Sequence, residues 1–352
     1  MITVLGAGNI GFAIIDDLHK DFDLSAIDIS KKALQALPIE KKFSGDIIKN
    51  KEIIENSELI ISALPGSVSF KIIKKLAKMK KNVIDVSYMP EDPFLLEKIA
   101  NENNIFIIPD AGFAPGLSNI VSGYLYKTMK KIEKIEIYVA GLPSKKIQPL
   151  DYTVTWNVEG LIDEYTRPAR LIKNRKIISV DPLDSIEPFC ISSIGSFESF
   201  YSDGLRTMLK TIKIQNMFEK TLRYPSHLEK IKLLRDMGYF SKEKIDNCIP
   251  WDLSVKLFKK LEIEVEDISI LLVRGYAKNT KDIFVYDKYD KEKHMTSMAR
   301  MTGYTSAIIT RIALENDFKG IVPPEYLGFD LKIYQKIKSE MKKRDILINE
   351  TI

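Results

Sequence analysis

Cysteine and histidine are scarce in this chain. Its 352 residues hold two cysteines, Cys190 and Cys248, and three histidines, His19, His227 and His294. None of them stands in a Cys–x–x–Cys or His–x–x–x–His spacing. That arithmetic excludes a disulfide framework and a soft-ligand metal centre, so no metal is expected. Both cysteines read as buried, reduced thiols, which points to a cytoplasmic setting. Long apolar runs are missing as well: none approaches the roughly 18 residues of a membrane span. Residues 1–15 are apolar enough to imitate a signal peptide, but they lack a basic start, hold three glycines and run into Asp16–Asp17, so they read as structure. Charge of one sign is also lacking. Fifty-three basic residues against 48 acidic ones leave a net +5. The two signs are interspersed, so neither a nucleic-acid face nor a membrane partner is expected, only a local anion pocket.

What is present suits a globular chain of two domains. A hydrophobic share of 45% against 29% charged excludes the disordered class. Up to residue 110 short apolar runs alternate with helix-length amphipathic segments. Strands are expected at 2–5, 24–29, 42–44, 59–63, 83–86 and 105–108. Helices are expected over 10–20, 31–37 (with Ser30 as N-cap), 47–55, 68–79 and 93–101. Apolar strands without alternation, each followed by a helix, imply a parallel sheet covered on both faces.

After a helix near 117–130 the alternation stops. More polar strands are expected at 135–140, 152–156, 176–180, 216–222, 268–277 and 280–288, the last two joined by a hairpin turn at Lys278–Asn279. Helices fall near 205–211, 227–237 and 253–260. This reads as a second, α+β domain of mainly antiparallel sheet. A long helix over 298–314 and a basic helix over 331–343 follow. A long helix in that place often packs back on the first domain, so residues 1–119 with 295–352 are expected to form one domain and 120–294 the other.

Gly6–Ala7–Gly8–Asn9–Ile10–Gly11 lies between the first strand and the first helix. Gly6 permits the tight turn, Gly8 lets amides approach a pyrophosphate, and Gly11 lets the helix pack on the strand. The helix N-terminus adds free N–H groups and positive partial charge. Asp28 ends the second strand, where an acid accepts hydrogen bonds from a ribose 2′-hydroxyl. The context makes this a Rossmann-type, doubly wound dinucleotide domain; the bland alternative is a glycine turn in a non-binding α/β domain. Asp28, with Ile29 beside it, favours NAD over NADP, although Lys31 and Lys32 could offset a 2′-phosphate. Ala63, Leu64 and Pro65 after the fourth strand, and Ser87 after the fifth, lie where open α/β sheets bind ligands. Asp46 is placed for the adenine end, or else caps the helix at 47–55.

Residues 110–119 read Asp-Ala-Gly-Phe-Ala-Pro-Gly-Leu-Ser-Asn. With the runs 85–88 and 91–93, 141–143, Trp156 with 159–165, 201–206, 220–225 and 298–303, this resembles the saccharopine dehydrogenase-like reductases over nearly the whole chain. Within them it is most similar to the L-lysine 6-dehydrogenase branch. The saccharopine and carboxynorspermidine branches have Asp before Pro–Gly in the 110–119 loop, whereas Ala114 stands here. The resemblance implies a nucleotide domain joined to a substrate domain that also builds a homodimer. It implies NAD-linked oxidation of the terminal amine of lysine, the aldehyde then cyclising to a piperideine carboxylate.

Such chemistry needs a base for the ammonium proton and an anchor for the α-carboxylate. Arginine's planar fork suits the anchor. Arg223 ends a strand before Tyr224–Pro225, as if projecting from a sheet edge into a cleft, and Arg206 opens a nearby helix; either could instead make a surface salt bridge. None of the histidines is a compelling base. The role passes to Asp110, at a strand end beside Gly112, with Tyr88 to orient the amine. Asp110 could equally be a loop-fixing acid. Asp151 and Glu159 flank Trp156, and all three are candidate substrate contacts; the two acids could pair with the α-ammonium or be solvated or salt-bridged. Two other readings stay open: a saccharopine- or carboxynorspermidine-type reductase of a secondary amine, and a non-catalytic NAD-sensing protein.

Overall fold

The computed structural model describes every residue except Ile48, Thr155, Trp156, Glu264 and Ile352. Trp156 therefore lies outside the described residues. The chain divides into two units: residues 1–127 with 299–347, and residues 128–298 with 348–352.

The first unit starts with strict alternation. Strand β1 (Ile2–Leu5) leads into α1 (Asn9–Leu18), β2 (Leu24–Asp28) into α2 (Lys31–Gln35), and β3 (Lys41–Ser44) into α3 (Lys51–Glu55). Then come β4 (Leu59–Ser62), α4 (Gly66–Lys78), β5 (Asn82–Asp85), a 3-10 turn at Pro93–Leu96, α5 (Glu97–Glu102), β6 (Phe106–Ile108) and α6 (Leu117–Thr128). Buried Ile60, Val83 and Ile107 pack against Ile73, Leu76 and Ala77 of α4. Ser30 caps α2 through the Ala33 N–H, as the sequence suggests. The helix expected over 47–55 is shorter and begins at Lys51.

The second unit contains β7 (Lys134–Pro143), α7 (Val158–Thr166), β8 (Ala169–Lys173), β9 (Lys176–Val180), β10 (Glu187–Ile191), β11 (Gly195–Ser202), α8 (Met208–Thr211), β12 (Asn216–Arg223), α9 (His227–Asp236), α10 (Pro250–Lys259), β13 (Asp267–Tyr276) and β14 (Thr280–Lys288). The chain continues through α11 (Ser297–Leu314), β15 (Gly320–Ile321), α12 (Pro324–Phe329), α13 (Leu331–Lys342) and β16 (Ile348–Thr351).

The first sheet is parallel throughout, in the order β15-β6-β5-β4-β1-β2-β3. This is the doubly wound order, with its crossover between β1 and β4. Helix α11 packs tightly on α1: a Cβ added at Gly303 would lie 2.5 Å from the Ala13 Cβ. Arg311 and Arg344 both bind Asp17 of α1.

The second sheet runs β10-β11-β12-β7-β13-β14-β16, with β8 and β9 off one side. It is mixed: β12 and β7 pair parallel and the other pairs antiparallel. Its core is formed by Leu142 and Leu222 with Leu161 and Ile162 of α7, Leu228 and Ile231 of α9, and Val255 and Phe258 of α10. The hairpin between β13 and β14 forms as expected. Residues 152–154, expected in a strand, are outside any strand, and α7, β8, β10 and β11 have no counterpart in the sequence reading. Strand β16 adds the C-terminal tail to this second sheet. Cys190 and Cys248 are free but exposed, not buried, because each sits on a surface strand or loop. No described helix is long and apolar enough to cross a membrane, and no described cluster could hold a metal ion.

Candidate functional site

The glycine loop separates two reasons for being glycine. Gly6 has φ +96°, and a Cβ there would lie 2.5 Å from the Ala63 carbonyl oxygen. A Cβ at Gly11 would lie 2.0 Å from the Gly6 oxygen. Both are dictated by the protein's own packing. A Cβ at Gly8 would meet nothing within 4 Å. The space it would fill lies in front of α1, whose N-terminus (Asn9, Ile10) has no side-chain cap. That is the cradle a pyrophosphate needs, so these residues fit a dinucleotide.

Asp28 braces the same loop. Its Oδ2 accepts from the Ala7 N–H at 2.6 Å and its Oδ1 from the Ser30 N–H at 2.6 Å. A carboxylate has about four acceptor sites, so two remain for a ribose. Ile29 next to it is 82% exposed, an apolar surface at the strand end. Asp46 does not cap a helix at 47–55; its Oδ1 accepts from the Lys49 N–H in the turn ahead of α3. Ala63 and Leu64 are half-buried and Pro65 exposed, directly before α4.

At the end of β5 lies a buried acid to which the sequence reading assigns no role. Asp85 accepts from Ser69 at 2.7 Å and from Ser87 at 2.6 Å, and Ser69 in turn meets Ser62. Burial pushes its carboxyl up to about 6, the serines pull the other way, and nearby Asp110 adds to the rise. Asp110 follows β6, fully buried and with φ +52°. The Ala111 N–H binds the Asp85 carbonyl, which ties the segment carrying Asp110 to the end of β5. Tyr88 is half-exposed, and its carbonyl lies where a Cβ on Gly66 would fall. Residues 110–119 are held from within: the Asn119 side chain accepts from the Gly116 N–H and donates to the buried Glu325 of α12. Glycine-to-backbone contacts at Gly123 and Gly328 bring α6 and α12 together.

In the second unit Arg223 is not at a sheet edge. Strand β12 lies inside the sheet, between β11 and β7. The guanidinium is 2% exposed. Its Nε donates to the Tyr165 hydroxyl at 3.0 Å, Nη1 to the Leu222 carbonyl at 3.0 Å and Nη2 to Glu164 at 2.7 Å. It also lies over the Tyr152 ring. Three of arginine's five N–H donors are thus engaged. Thr221, two residues back on the same face, donates to the other Glu164 oxygen. Two further residues back stands Glu219. It accepts from Ser202 at 2.9 Å, and burial pushes it up to about 8, opposed by the Ser202 bond and aided by Glu164 and Asp203.

Arg206 does not open a helix; it is buried with φ +49°, two residues ahead of α8. Asp203 beside it is clamped by Arg170 through paired bonds of 2.9 and 2.7 Å. Asp151 is committed to Lys230 at 2.6 Å and to Gln148 at 2.8 Å, and the Lys230 bond holds it below the usual carboxylate range. Glu159 is exposed in the first turn of α7. The acid that reaches Arg223 is Glu164, from the same quoted run. Its position one turn further along an unread helix was the available signal.

Residues 2–108 match the family model described as the saccharopine dehydrogenase NADP binding domain, and residues 112–347 match the saccharopine dehydrogenase C-terminal domain. The chain belongs to the saccharopine dehydrogenase family. Residues 2–108 are accordingly an NAD(P)-binding domain. The chain is 25% identical over 268 residues to a saccharopine dehydrogenase [NADP(+), L-glutamate-forming] of Pyricularia oryzae, covering 71% of this chain and 59% of that one. It is 22% identical over 267 residues to a mitochondrial alpha-aminoadipic semialdehyde synthase of Mus musculus, covering 69% and 28%. It therefore spans well under two thirds of these relatives. In fold it resembles apo saccharopine dehydrogenase (L-Glu forming) from Saccharomyces cerevisiae, with a TM-score of 0.76 at 19% identity and 99% of both chains covered. It also resembles a homospermidine synthase from Legionella pneumophila in complex with NAD, with a TM-score of 0.71 at 14% identity, covering 99% of this chain and 90% of that one.

Proposed function

We propose that this chain is an NAD-linked oxidoreductase that oxidises the terminal carbon–nitrogen bond of L-lysine, giving an aldehyde that closes to a piperideine carboxylate. The observation that supports this reading is the buried strip Glu219–Thr221–Arg223 on β12. It carries an acid and a guanidinium on one strand face, about 13 Å apart between Cα atoms, in the domain that follows an NAD(P)-binding loop. An amino acid carries both complementary charges.

A bound dinucleotide supplies the hydride acceptor. Gly8, Asn9, Ile10 and Asp28 are the residues to hold it, with Ile29, Asp46, the 63–65 loop and Ser87 along its length. NAD is proposed over NADP because two backbone amides hold the Asp28 carboxylate in place at the strand end. Only a neutral amine releases hydride, so a base must first take the ammonium proton. Asp110 is proposed for that role, on the segment tied to the end of β5 beside Asp85, with Tyr88 orienting the amine. Two Arg223 donors are not spent on protein groups among the described residues, and they are proposed, together with Arg206, for the α-carboxylate. Water then hydrolyses the imine, releasing ammonia.

A second reading is favoured by the names of the sequence relatives: oxidation of the secondary amine of saccharopine. One experiment separates the two. The protein is incubated with NAD or NADP and L-lysine, L-ornithine, saccharopine or a diamine while absorbance of the reduced cofactor is followed. Turnover of lysine with NAD supports the first reading, and turnover of saccharopine alone replaces it with the second. Tight NAD binding without turnover of any amine would leave the NAD-sensing reading.

A further inference from the structure

The acid on the β12 strip has an unmet bond. Glu219 is 4% exposed, and its Oε2 is buried without a hydrogen-bond partner among the described residues. Buried carboxylate oxygens are nearly always paired, and an orphan calls for a missing donor. The surroundings say what kind of donor. Glu164 from α7 and Asp203 from the turn after β11 both face Glu219 electrostatically. Each already has its own guanidinium, Arg223 and Arg170 respectively. Glu219 is the acid of this trio left with only a hydroxyl, from Ser202, its directly opposite neighbour on β11. Gly204 packs directly against this carboxyl: a Cβ there would lie 1.8 Å from Oε1 and 2.2 Å from Oε2. A glycine is therefore required beside it.

We propose that Glu219 receives the non-reacting ammonium group of the amine ligand, the cationic nitrogen docking on its unpartnered Oε2 beside Gly204. A neutral donor would satisfy the hydrogen bond; a cation also stabilises the ionised carboxylate, which burial beside Glu164 and Asp203 disfavours. The inference deepens the proposed function and rests on its reading of the second unit as the amine-binding half. It adds a proton balance. The buried carboxyl holds its proton near neutral pH when empty. Docking of an ammonium expels that proton to solvent, so one proton is released per ligand bound.

The test uses the full chain with NADH, L-lysine, saccharopine and methylammonium as probes. Calorimetry in buffers of different ionisation heat reads affinity and proton release together. In Glu219→Gln, which keeps the shape and the Ser202 bond, the Kd for the bound amine is expected to rise tenfold or more. Proton release is expected to disappear, with the NADH Kd unchanged within twofold. Gly204→Ala, which displaces the carboxyl, is expected to do the same. A folded Glu219→Gln protein with unchanged amine Kd overturns the proposal. If the variant does not fold, the carboxyl carbon of Glu219 in the wild-type protein decides: a titration moved to lower pH by ligand supports docking, and an unmoved one overturns it. If the wild type binds neither lysine nor saccharopine, the proposed function fails by itself. Glu219 is then judged by the same carboxyl titration with methylammonium.

Discussion

The hydroxyl of Tyr165 lies 2.8 Å from Nε2 of His227, and that contact orders a buried chain of protons. Nδ1 of His227 faces the Leu150 carbonyl at 2.8 Å, so it must carry a hydrogen. Nε2 of the neutral ring must then accept, Tyr165 must donate to it, and the Tyr165 oxygen is left to accept from Arg223. Burial, helped by the Arg223 charge, pushes His227 down to about 3 from its ordinary 6.5. The unfolded chain binds this proton at higher pH than the folded one. Stability from this group is therefore complete above about pH 6.5 and declines as pH falls towards 3, by at most about 1.4 kcal/mol per unit. His227→Phe should remove that acid sensitivity and, by orphaning the Tyr165 hydroxyl, cost about 1–3 kcal/mol at pH 7. Urea denaturation at several pH values checks both.

The three loop glycines should part ways under alanine substitution. Gly6→Ala meets a positive φ and the Ala63 carbonyl, and Gly11→Ala meets the Gly6 carbonyl. Both should lower the melting temperature, with losses of about 1–3 kcal/mol or more from overpacking. Gly8→Ala meets open space and should leave stability within about 0.5 kcal/mol. Its effect should be on NAD(H) affinity alone, a tenfold weakening or more in fluorescence titration. Equal NADH binding by wild type and Gly8→Ala would remove the pyrophosphate from this loop.

Asp28→Asn tests the choice of dinucleotide. The amide can still accept from one backbone N–H but loses the charge that disfavours a 2′-phosphate. The ratio of KM values should move towards NADP by about tenfold, equivalent to ~1.4 kcal/mol. An unmoved ratio would shift the reading of the phosphate to exposed Lys31 and Lys32.

The nucleotide half was legible because its signals are local. Glycines, an N-cap and runs such as Ile2–Leu5 sit a few residues from what they control. The second unit is different. Strands β10 and β11 mix polar and apolar residues, since parts of both lie on exposed faces, and they have no period the eye can find. Its acids were harder still. Asp151, read as a contact for the α-ammonium or a solvated or salt-bridged acid, is tied to Lys230 on α9. Glu164 and Glu219, given no role of their own, are fixed by Arg223 and by the β11–β12 register. Whether a carboxylate is solvated or enclosed depends on a partner tens of residues away, and a lone sequence does not name that partner.

Asp85 predicts the opposite pH trend from His227. Its carboxyl is pushed up from 3.8 to about 6, first by burial and further by Asp110. The folded state therefore holds this proton where the unfolded state has lost it. The contribution is fully present below about pH 4 and is lost as pH rises through about 6, worth up to about 3 kcal/mol. Asp85→Asn should abolish this slope and make the protein relatively more stable than wild type above pH 6. Melting temperatures of the two proteins from pH 4 to 8 check it; parallel curves would mean that Asp85 keeps an ordinary carboxylate affinity.

Arg223 demands a split between stability and binding. Arg223→Ala would leave the half-buried Glu164 without its cation, and removing one member of a buried pair costs about 3–5 kcal/mol. A rise in KM in that variant would be ambiguous, because the whole Glu164–Thr221 strip would be disturbed. Arg223→Lys keeps the charge near Glu164 but has no planar fork and fewer donors. If the unspent Arg223 donors hold the substrate carboxylate, Arg223→Lys should raise the amino-acid KM by tenfold or more, with kcat changed much less and NAD affinity unchanged. A simple diamine, which has no carboxylate to lose, should show no such rise. Equal losses for lysine and for its decarboxylated diamine would assign Arg223 to holding α7 against β12 and leave the carboxylate to Arg206.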